Sequence, residues 1–382
     1  MGKKVLIGLS GGVDSAVAAY LLKEQGYDVS GGFMRNWDAI ANGDFLGNPT
    51  LNDSQCPQEA DYYDAMNVAT ALNIPLFRID FVKEYWDDVF SYFLEEYKKG
   101  RTPNPDIFCN KYIKFDKFLK FAKEKGFDYI ATGHYAKRVE KEDGTVEMHK
   151  SFDKNKDQTY FLSQVNQYQL SQCLFPLGDI EKSEVREIAE KLNLSVAKKK
   201  DSTGVCFIGE RNFKQFLNNY LPSKSGNIVD VATNKVVGHH EGVLYYTLGQ
   251  RRGLGIGGIK GIDPISWFVV GKDVNKNVLY VSQGDENEFL LSDRAIIKMI
   301  NWNSSKPGDS FHCGCKFRYR QPDQGVTLNV IDENTVELIY DEPLKAVTPG
   351  QAAVFYDGEK CLGGGIIEKI FYKGKLKNVT GL

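Results

Sequence analysis

Eight consecutive residues, Gly8-Leu9-Ser10-Gly11-Gly12-Val13-Asp14-Ser15, stand between an apolar run and an amphipathic one. Glycines let a backbone turn so that its N–H groups converge on an anion, and a helix N-terminus adds a favourable partial charge. Ser10 and Ser15 add hydroxyl donors, while Asp14 has the chemistry either to hold Mg²⁺ or to cap the helix. The stretch is not a Walker loop, since no Gly-Lys-Ser/Thr follows, nor is it the GxGxxG dinucleotide fingerprint. The bland alternative is a glycine-rich strand–helix turn with a Ser/Asp cap.

Two cysteines sit in loops where a thiol could react. Cys109 ends Thr102-Pro103-Asn104-Pro105-Asp106-Ile107-Phe108-Cys109, which two prolines stiffen and are expected to keep out of a helix. Lys111 and Lys114 follow, and positive charge lowers a thiol pKa. Cys206 lies in Asp201-Ser202-Thr203-Gly204-Val205-Cys206-Phe207-Ile208-Gly209, just after the lysines Lys198, Lys199 and Lys200. Taken singly, each reads first as a small buried hydrophobe, and Cys56, though in a polar loop, and Cys173 keep that reading. Cys313 and Cys315 alternate onto one face of a strand and are expected to be structural. An odd total of seven cysteines, with no CxxC pair, is neither a disulfide framework nor a zinc site.

These loops need elements to hold them. Up to about residue 210, strand patterns at Lys4–Leu9, Val29–Met34, Leu76–Asp80 and Tyr129–Thr132 alternate with helix patterns. The helices are expected at Ser15–Gln25, closed by Gly26, and at Gln58–Leu72, Val82–Lys99 and Phe115–Lys125. Such alternation predicts an α/β, doubly wound parallel sheet with its ligand at the carboxyl ends of the strands. From about Gly226 the texture becomes all-β, with short runs at Val243–Leu248, Trp267–Val270, Val278–Val281, Val326–Ile331, Thr335–Leu338 and Ala352–Tyr356. They form two small β modules parting near Gln283–Glu288, with Glu210–Leu221 as a bridging helix.

The 382 residues are 42% hydrophobic and 26% charged, the make-up of a globular protein of two or three domains. A formal net charge of -2 excludes a protein that coats nucleic acid non-specifically, so any such partner must meet a local basic face. No run of 18 apolar residues offers a membrane span, and the N-terminus lacks a secretory pattern, so a cytoplasmic location is expected.

Gly8–Ser15 resembles the pyrophosphate loop of the ATP pyrophosphatases, which cleave ATP to AMP and pyrophosphate. The loop is followed in order by NPDIFCN, TGHYA (Thr132–Ala136), KDQTYFL (Lys156–Leu162), DSTGVCFIG and LGQRRGLGIGG (Leu248–Gly258). Together, over residues 8 to 351, this set resembles the tRNA-specific 2-thiouridylases. The resemblance implies a pyrophosphate-loop catalytic domain over 1–210, a central β-rich domain over 211–282 and a C-terminal β-barrel over 283–382. It implies that Gly8, Leu9, Ser10, Gly11, Gly12, Val13, Asp14 and Ser15 bind ATP, with Met34 and Gly133 closing around the nucleotide. Cys206 would carry a persulfide and Cys109 would be its partner nucleophile, with Asp106 as acid or base nearby. Asn104, Pro105 and Asp106 would surround a flipped target base. His134, Lys156, Asp157, Gln158, Arg318, Tyr319 and Gln351 would touch tRNA.

On that resemblance the cofactors are ATP and its Mg²⁺, and the sulfur comes as a persulfide from a cysteine desulfurase or relay protein. The partner is tRNA at its anticodon arm, and lysines such as Lys150, Lys154, Lys156 and Lys198–Lys200 would supply the attraction that the net charge does not. Three other readings stay open on the residues themselves. An amine-joining ATP pyrophosphatase would not need two cysteines, and a carrier or tRNA-binding protein with a vestigial loop would not need Ser10, Asp14 and Ser15. Gly249–Gly255 could form a second nucleotide site or, as we prefer, a loop that orders on tRNA.

Overall fold

Val5, Leu6 and Ile7 are all fully buried, so strand β1 (Lys4–Gly8) must lie in a sheet covered on both faces. In this computed structural model, which describes residues 2–51, 57–200, 208, 211–256, 265–284 and 286–377, it is the centre of one. It pairs in parallel with β2 (Asp28–Arg35), which pairs with β3 (Leu76–Asp80), and on its other side with β4 (Tyr129–Ala131). The chain then forms a hairpin, β5 (Ala136–Glu140) and β6 (Val146–Lys150), before returning to the sheet as β7 (Cys173–Leu174). The resulting order is β3-β2-β1-β4-β7, with the change of direction beside β1. That is where a doubly wound sheet opens its ligand crevice.

Alternation along β1 divides the core. Val5 and Ile7 pack with Val17 and Leu22 of helix α1 (Val13–Glu24) and with Val68 of α2 (Pro57–Ala71). Leu6 faces the other way, toward Phe90, Ile113 and Phe118 on helical segments between Val82 and Glu124. Gly26 (φ +84°) ends α1, its N–H donating to the Lys23 carbonyl, as the glycine position predicts. The last of those helices starts earlier than expected. Pro105 does not keep its loop out of a helix; it is the first helical residue after the cap Asn104. A proline lacks only an N–H that the first turn leaves unpaired anyway.

The central module is a four-stranded sheet of β8 (Gly226–Asp230), β9 (Val236–His240), β10 (Trp267–Asp273) and β11 (Val278–Gln283), in the order β10-β11-β8-β9. The bridging helix is shorter than expected, Phe213–Asn218, because Asn212 caps it by accepting from the Gln215 N–H. The strand expected at Val243–Leu248 is absent. Gly242 (φ +154°) turns the chain, and Val243–Tyr245 coil into one short 3₁₀ turn. Lys272 of β10 is buried, its Nζ donating to the Tyr246 carbonyl at 2.7 Å, and burial pulls its pKa down to about 7.

The last six long strands, β12 (Leu291–Trp302), β13 (Ser310–Lys316), β14 (Gln324–Asp332), β15 (Thr335–Lys345), β16 (Ala352–Asp357) and β17 (Lys360–Tyr372), close into a barrel through the β12–β17 pairing. Ala295, Ile297, Phe317, Leu328, Leu338 and Phe355 fill it. Cys313 and Cys315 point into that core, and burial pushes the Cys313 thiol up to about 12. The hairpin β5–β6 from the first part of the chain extends this sheet, with His149 opposite Lys360 and Met148 opposite Cys361. Among the described residues no helix is long and apolar enough to cross a membrane.

Candidate active site

The loop between β1 and α1 is built by close approach. A Cβ on Gly11 (φ +73°) would stand 2.4 Å from the Asp61 carbonyl oxygen, and one on Gly133 would stand 2.9 Å from the Ser15 nitrogen. The segment after β4 therefore presses on the first turn of α1 at a point where no side chain fits. Within the loop, Ser15 Oγ accepts from the Ser10 N–H at 3.2 Å and donates to the Gly12 carbonyl at 3.0 Å. Its distance to Ser10 Oγ is also 3.2 Å, so both hydroxyls share one edge of the turn. Met34, nearly buried, lies across the same opening, with its methyl 3.2 Å from where a Cβ of Gly8 would be.

Asp14 does not cap α1; Gly12 occupies the cap position with no side-chain bond. The Asp14 carboxylate instead receives Lys182 Nζ on both oxygens, at 2.7 and 2.8 Å, and the Tyr135 hydroxyl on Oδ1 at 2.7 Å. Lys199 Nζ donates to the Gly11 carbonyl at 2.9 Å and pairs with Asp61 and Asp64 at 2.7 and 2.6 Å. Neither Lys182 nor the loop contact of Lys199 was visible to motif reading. Lys182 is simply the first residue of a helix, 168 positions from its partner. Lys199 stood out only as part of a lysine run. Mg²⁺ binds through one or two carboxylates plus substrate phosphates, and Asp14 would join that donor set by giving up part of its Lys182 pair. No three His, Cys, Asp or Glu side chains form a ready-made metal site among the described residues.

The thiol loop packs into the same hydrophobic cluster as Met34. Asn104 Oδ1 accepts from the Asp106 N–H at 3.2 Å, which starts the helix that carries Cys109. Cys109 is completely buried, and the neighbouring Asn110 donates to the Phe161 carbonyl at 2.9 Å. The expected charge beside the thiol is partly turned away, since Lys111 Nζ donates to Gln164 Oε1 at 2.9 Å and burial lowers its pKa. Cys206 and Cys56 lie outside the described residues, as do Gly257 and Gly258 of the glycine-rich loop.

The segments expected to meet tRNA divide into two groups. His134 is buried, its Nδ1 is 2.8 Å from Thr132 Oγ1, and burial with the nearby Lys114 charge holds its pKa well below the usual value. Asp157, also buried, accepts from the Ser151 N–H and the Thr159 hydroxyl, and burial raises its pKa. Gln158 Oε1 accepts from the Tyr135 N–H at 3.0 Å, which ties this segment to the loop that presses on Ser15. Lys156 is half-buried beside them. On the barrel, Arg318 is exposed but anchored at 2.6 Å to the Ala346 carbonyl, and the Tyr319 ring lies 4.5 Å from that of Phe161. Gln351 donates to the Thr102 carbonyl at 2.6 Å. Of the lysines expected to attract tRNA, Lys150 pairs with Asp323 at 2.6 Å, Lys154 pairs with Glu359, and Lys199 bonds to Asp61 and the phosphate loop.

Comparison with known proteins gives the family. A tRNA-specific 2-thiouridylase MnmA of Mycoplasma mycoides is 57% identical over 377 residues, covering 97% of this chain and all of that protein. One from Bacillus cytotoxicus is 52% identical over 379 residues, covering 99% of this chain and 98% of its own length. The chain belongs to the tRNA-specific 2-thiouridylase family. Three family profiles divide this thiouridylase chain: a tRNA methyl transferase HUP domain over 3–210, a tRNA methyl transferase PRC-barrel domain over 214–283 and an aminomethyltransferase beta-barrel domain over 292–367. Their descriptions speak of methyl transfer, but the thiouridylase likeness spans nearly the whole chain and outweighs those words. Among solved structures, a 4-thiouridine synthetase–RNA complex with bound ATP overlaps at 14% identity and a TM-score of 0.33, covering 57% of this chain and 50% of that one.

Proposed function

We propose that this protein replaces the C2 oxygen of a tRNA uridine with sulfur, using ATP. The observation that carries the reading is the likeness to thiouridylases over nearly the whole chain, because a phosphate loop alone serves many reactions. Gly8–Ser15, Met34 and Gly133 hold ATP, with the N-terminus of α1 and the Ser10 hydroxyl directed at the phosphates and Ser15 bracing the turn. Mg²⁺ bound with the nucleotide would lie at Asp14 and neutralise charge on the departing pyrophosphate.

The uracil C2 oxygen attacks the α-phosphorus and pyrophosphate leaves, so that AMP becomes the leaving group on an electrophilic C2. Sulfur then reaches C2 by one of two routes. In one, the terminal sulfur of a Cys206 persulfide attacks C2, AMP leaves, and the Cys109 thiolate attacks Cys206 Sγ to free the thiolated base. In the other, Cys109 first attacks Cys206 Sγ and releases sulfide, which attacks C2. Both end in a Cys109–Cys206 disulfide, which an external two-electron reductant must reopen. Asp106 supplies or takes a proton beside Cys109, and Asn104, Pro105 and Asp106 surround the base once it leaves its stack.

The persulfide comes from a cysteine desulfurase or relay protein, and the substrate is the wobble uridine of tRNAs for Lys, Glu and Gln, which sets the reaction in the cytoplasm. Residues 1–210 do the chemistry, while 211–282 and 283–382 grip the anticodon arm. Lys156, Gln158, Arg318, Tyr319 and Gln351 face the RNA, with His134 and Asp157 supporting that surface from beneath.

The test is nucleoside mass analysis of unmodified tRNA after incubation with protein, ATP, Mg²⁺ and a persulfide source. A uridine that gains the oxygen-to-sulfur mass difference only with ATP supports the reading. Loss of thiolation in Cys109→Ser and in Cys206→Ser, with ATP cleavage retained, supports the roles given to the thiols. Thiolation retained in either variant would remove that cysteine from the mechanism.

A further inference from the structure

The three modules of the chain meet on one short piece of backbone, and it is the stem of the thiol loop. Thr102 donates its N–H to the Pro349 carbonyl and accepts Gln351 Nε2 on its own carbonyl. Its hydroxyl lies 3.2 Å from the Thr247 hydroxyl of the central module. One residue earlier, Arg101 forms a bidentate pair with Glu368 of β17, both bonds at 2.8 Å. A second carboxylate, the buried Glu96, approaches the same guanidinium at 3.4 Å. Gly350 (φ +93°) lets the barrel come this near, because a Cβ there would stand 3.0 Å from both Arg101 Cβ and Thr102 N.

A two-pronged guanidinium–carboxylate pair fixes orientation as well as distance. With the Thr247 contact it fixes the stem at two points that belong to two different modules. Two residues beyond Thr102, Asn104 begins the helix that carries Cys109. Any tilt of the barrel or of the central module is therefore passed to the residues that would surround the base. We infer that Arg101, Glu368 and Thr247 are positioning residues that keep the segment Thr102–Cys109 in register with both β modules, so that their grip on tRNA sets where Cys109 meets the base. The inference deepens the proposed function and, for its catalytic readout, rests on it.

The experiment compares full-length wild type with Glu368→Gln and Thr247→Val in two readouts. In single-turnover thiolation, Glu368→Gln is expected to slow sulfur transfer about 10-fold and Thr247→Val about 3-fold, the size that a small misplacement of reacting groups produces. ATP KM and tRNA binding should stay within about 2-fold of wild type, a split that general loss of structure would not give. In hydrogen exchange without substrates, amides of residues 101–110 should exchange faster in Glu368→Gln while those of β1 and α1 stay unchanged. Unchanged transfer rates in both variants, or exchange in 101–110 equal to wild type, would overturn the inference. If wild type itself forms no thiolated uridine, the functional reading fails, and the exchange comparison alone decides whether the clamp exists.

Discussion

The phosphate loop and the thiol loop belong to one α/β unit, yet they are held differently. The phosphate loop is secured from within its own segment of chain: Ser10 and Ser15 are five residues apart, and Tyr135, Lys182 and Lys199 belong to the same α/β unit. The thiol loop has bonds within its unit too, such as Asn110 to the Phe161 carbonyl, but its stem is secured from outside, by Gln351 and Glu368 at sequence separations of 249 and 267. Nucleotide chemistry is thus local to one sheet, whereas the place of Cys109 depends on the assembled molecule. A substitution that harms the first should leave the second intact, and the reverse.

Gly133→Ala should break the contrast hardest on the phosphate side. The new methyl meets backbone atoms of Asp14 and Ser15 at 2.9–3.2 Å, and neither can yield without moving the first turn of α1. We expect pyrophosphate release to fall by about 100-fold or more, as for other misplaced reacting groups. Exchange of the 101–110 amides should not change, and a matching change there would erase the distinction between the loops. Lys182→Ala comes next. It removes a charge-assisted pair from Asp14, and bonds of that kind contribute roughly 1.5–3 kcal/mol. An ATP KM raised about tenfold, with tRNA binding kept, is the expected result in steady-state assays.

The smallest effect is a pH dependence at the joint between modules. Burial lowers the Lys272 pKa to about 7 from an ordinary value of 10.5, so the unfolded chain holds this proton more tightly between those limits. Stability should therefore rise with pH across that window, by on the order of 1 kcal/mol per pH unit at most, with the contribution absent below it. Lys272→Met lacks this titration. Urea unfolding at pH 7 and pH 9.5 should show wild type gaining on the variant, and a gap that does not change would mean the ammonium keeps its proton in the folded protein.

The same contrast explains what could be read from the sequence. Gly8–Ser15 is contiguous, so its turn, its serines and the sheet around it were legible. Lys182 was not, because nothing at a helix start says that it will reach Asp14. The anchorage of the thiol loop was hidden too, since Thr102, Thr247 and Glu368 carry no local signature. Val243–Leu248 has strand composition but coils after Gly242, and there tertiary packing overrode the pattern. The hairpin β5–β6 was missed behind its charged residues, although Asp143-Gly144 before the alternating Val146 and Met148 was a hairpin signal.

That hairpin has a consequence for inheritance. Its two strands are encoded with the nucleotide-binding part, yet β6 pairs with the start of β17 in the barrel made by the last quarter of the gene. A gene split at residue 210 would send the two halves of one ladder into different products. The first product would carry an unpaired strand edge, an invitation to aggregate, and the second would expose β17 where β6 had covered it. Exchange of the barrel between relatives by recombination is therefore expected to work best when Ala136–Lys150 travels with it.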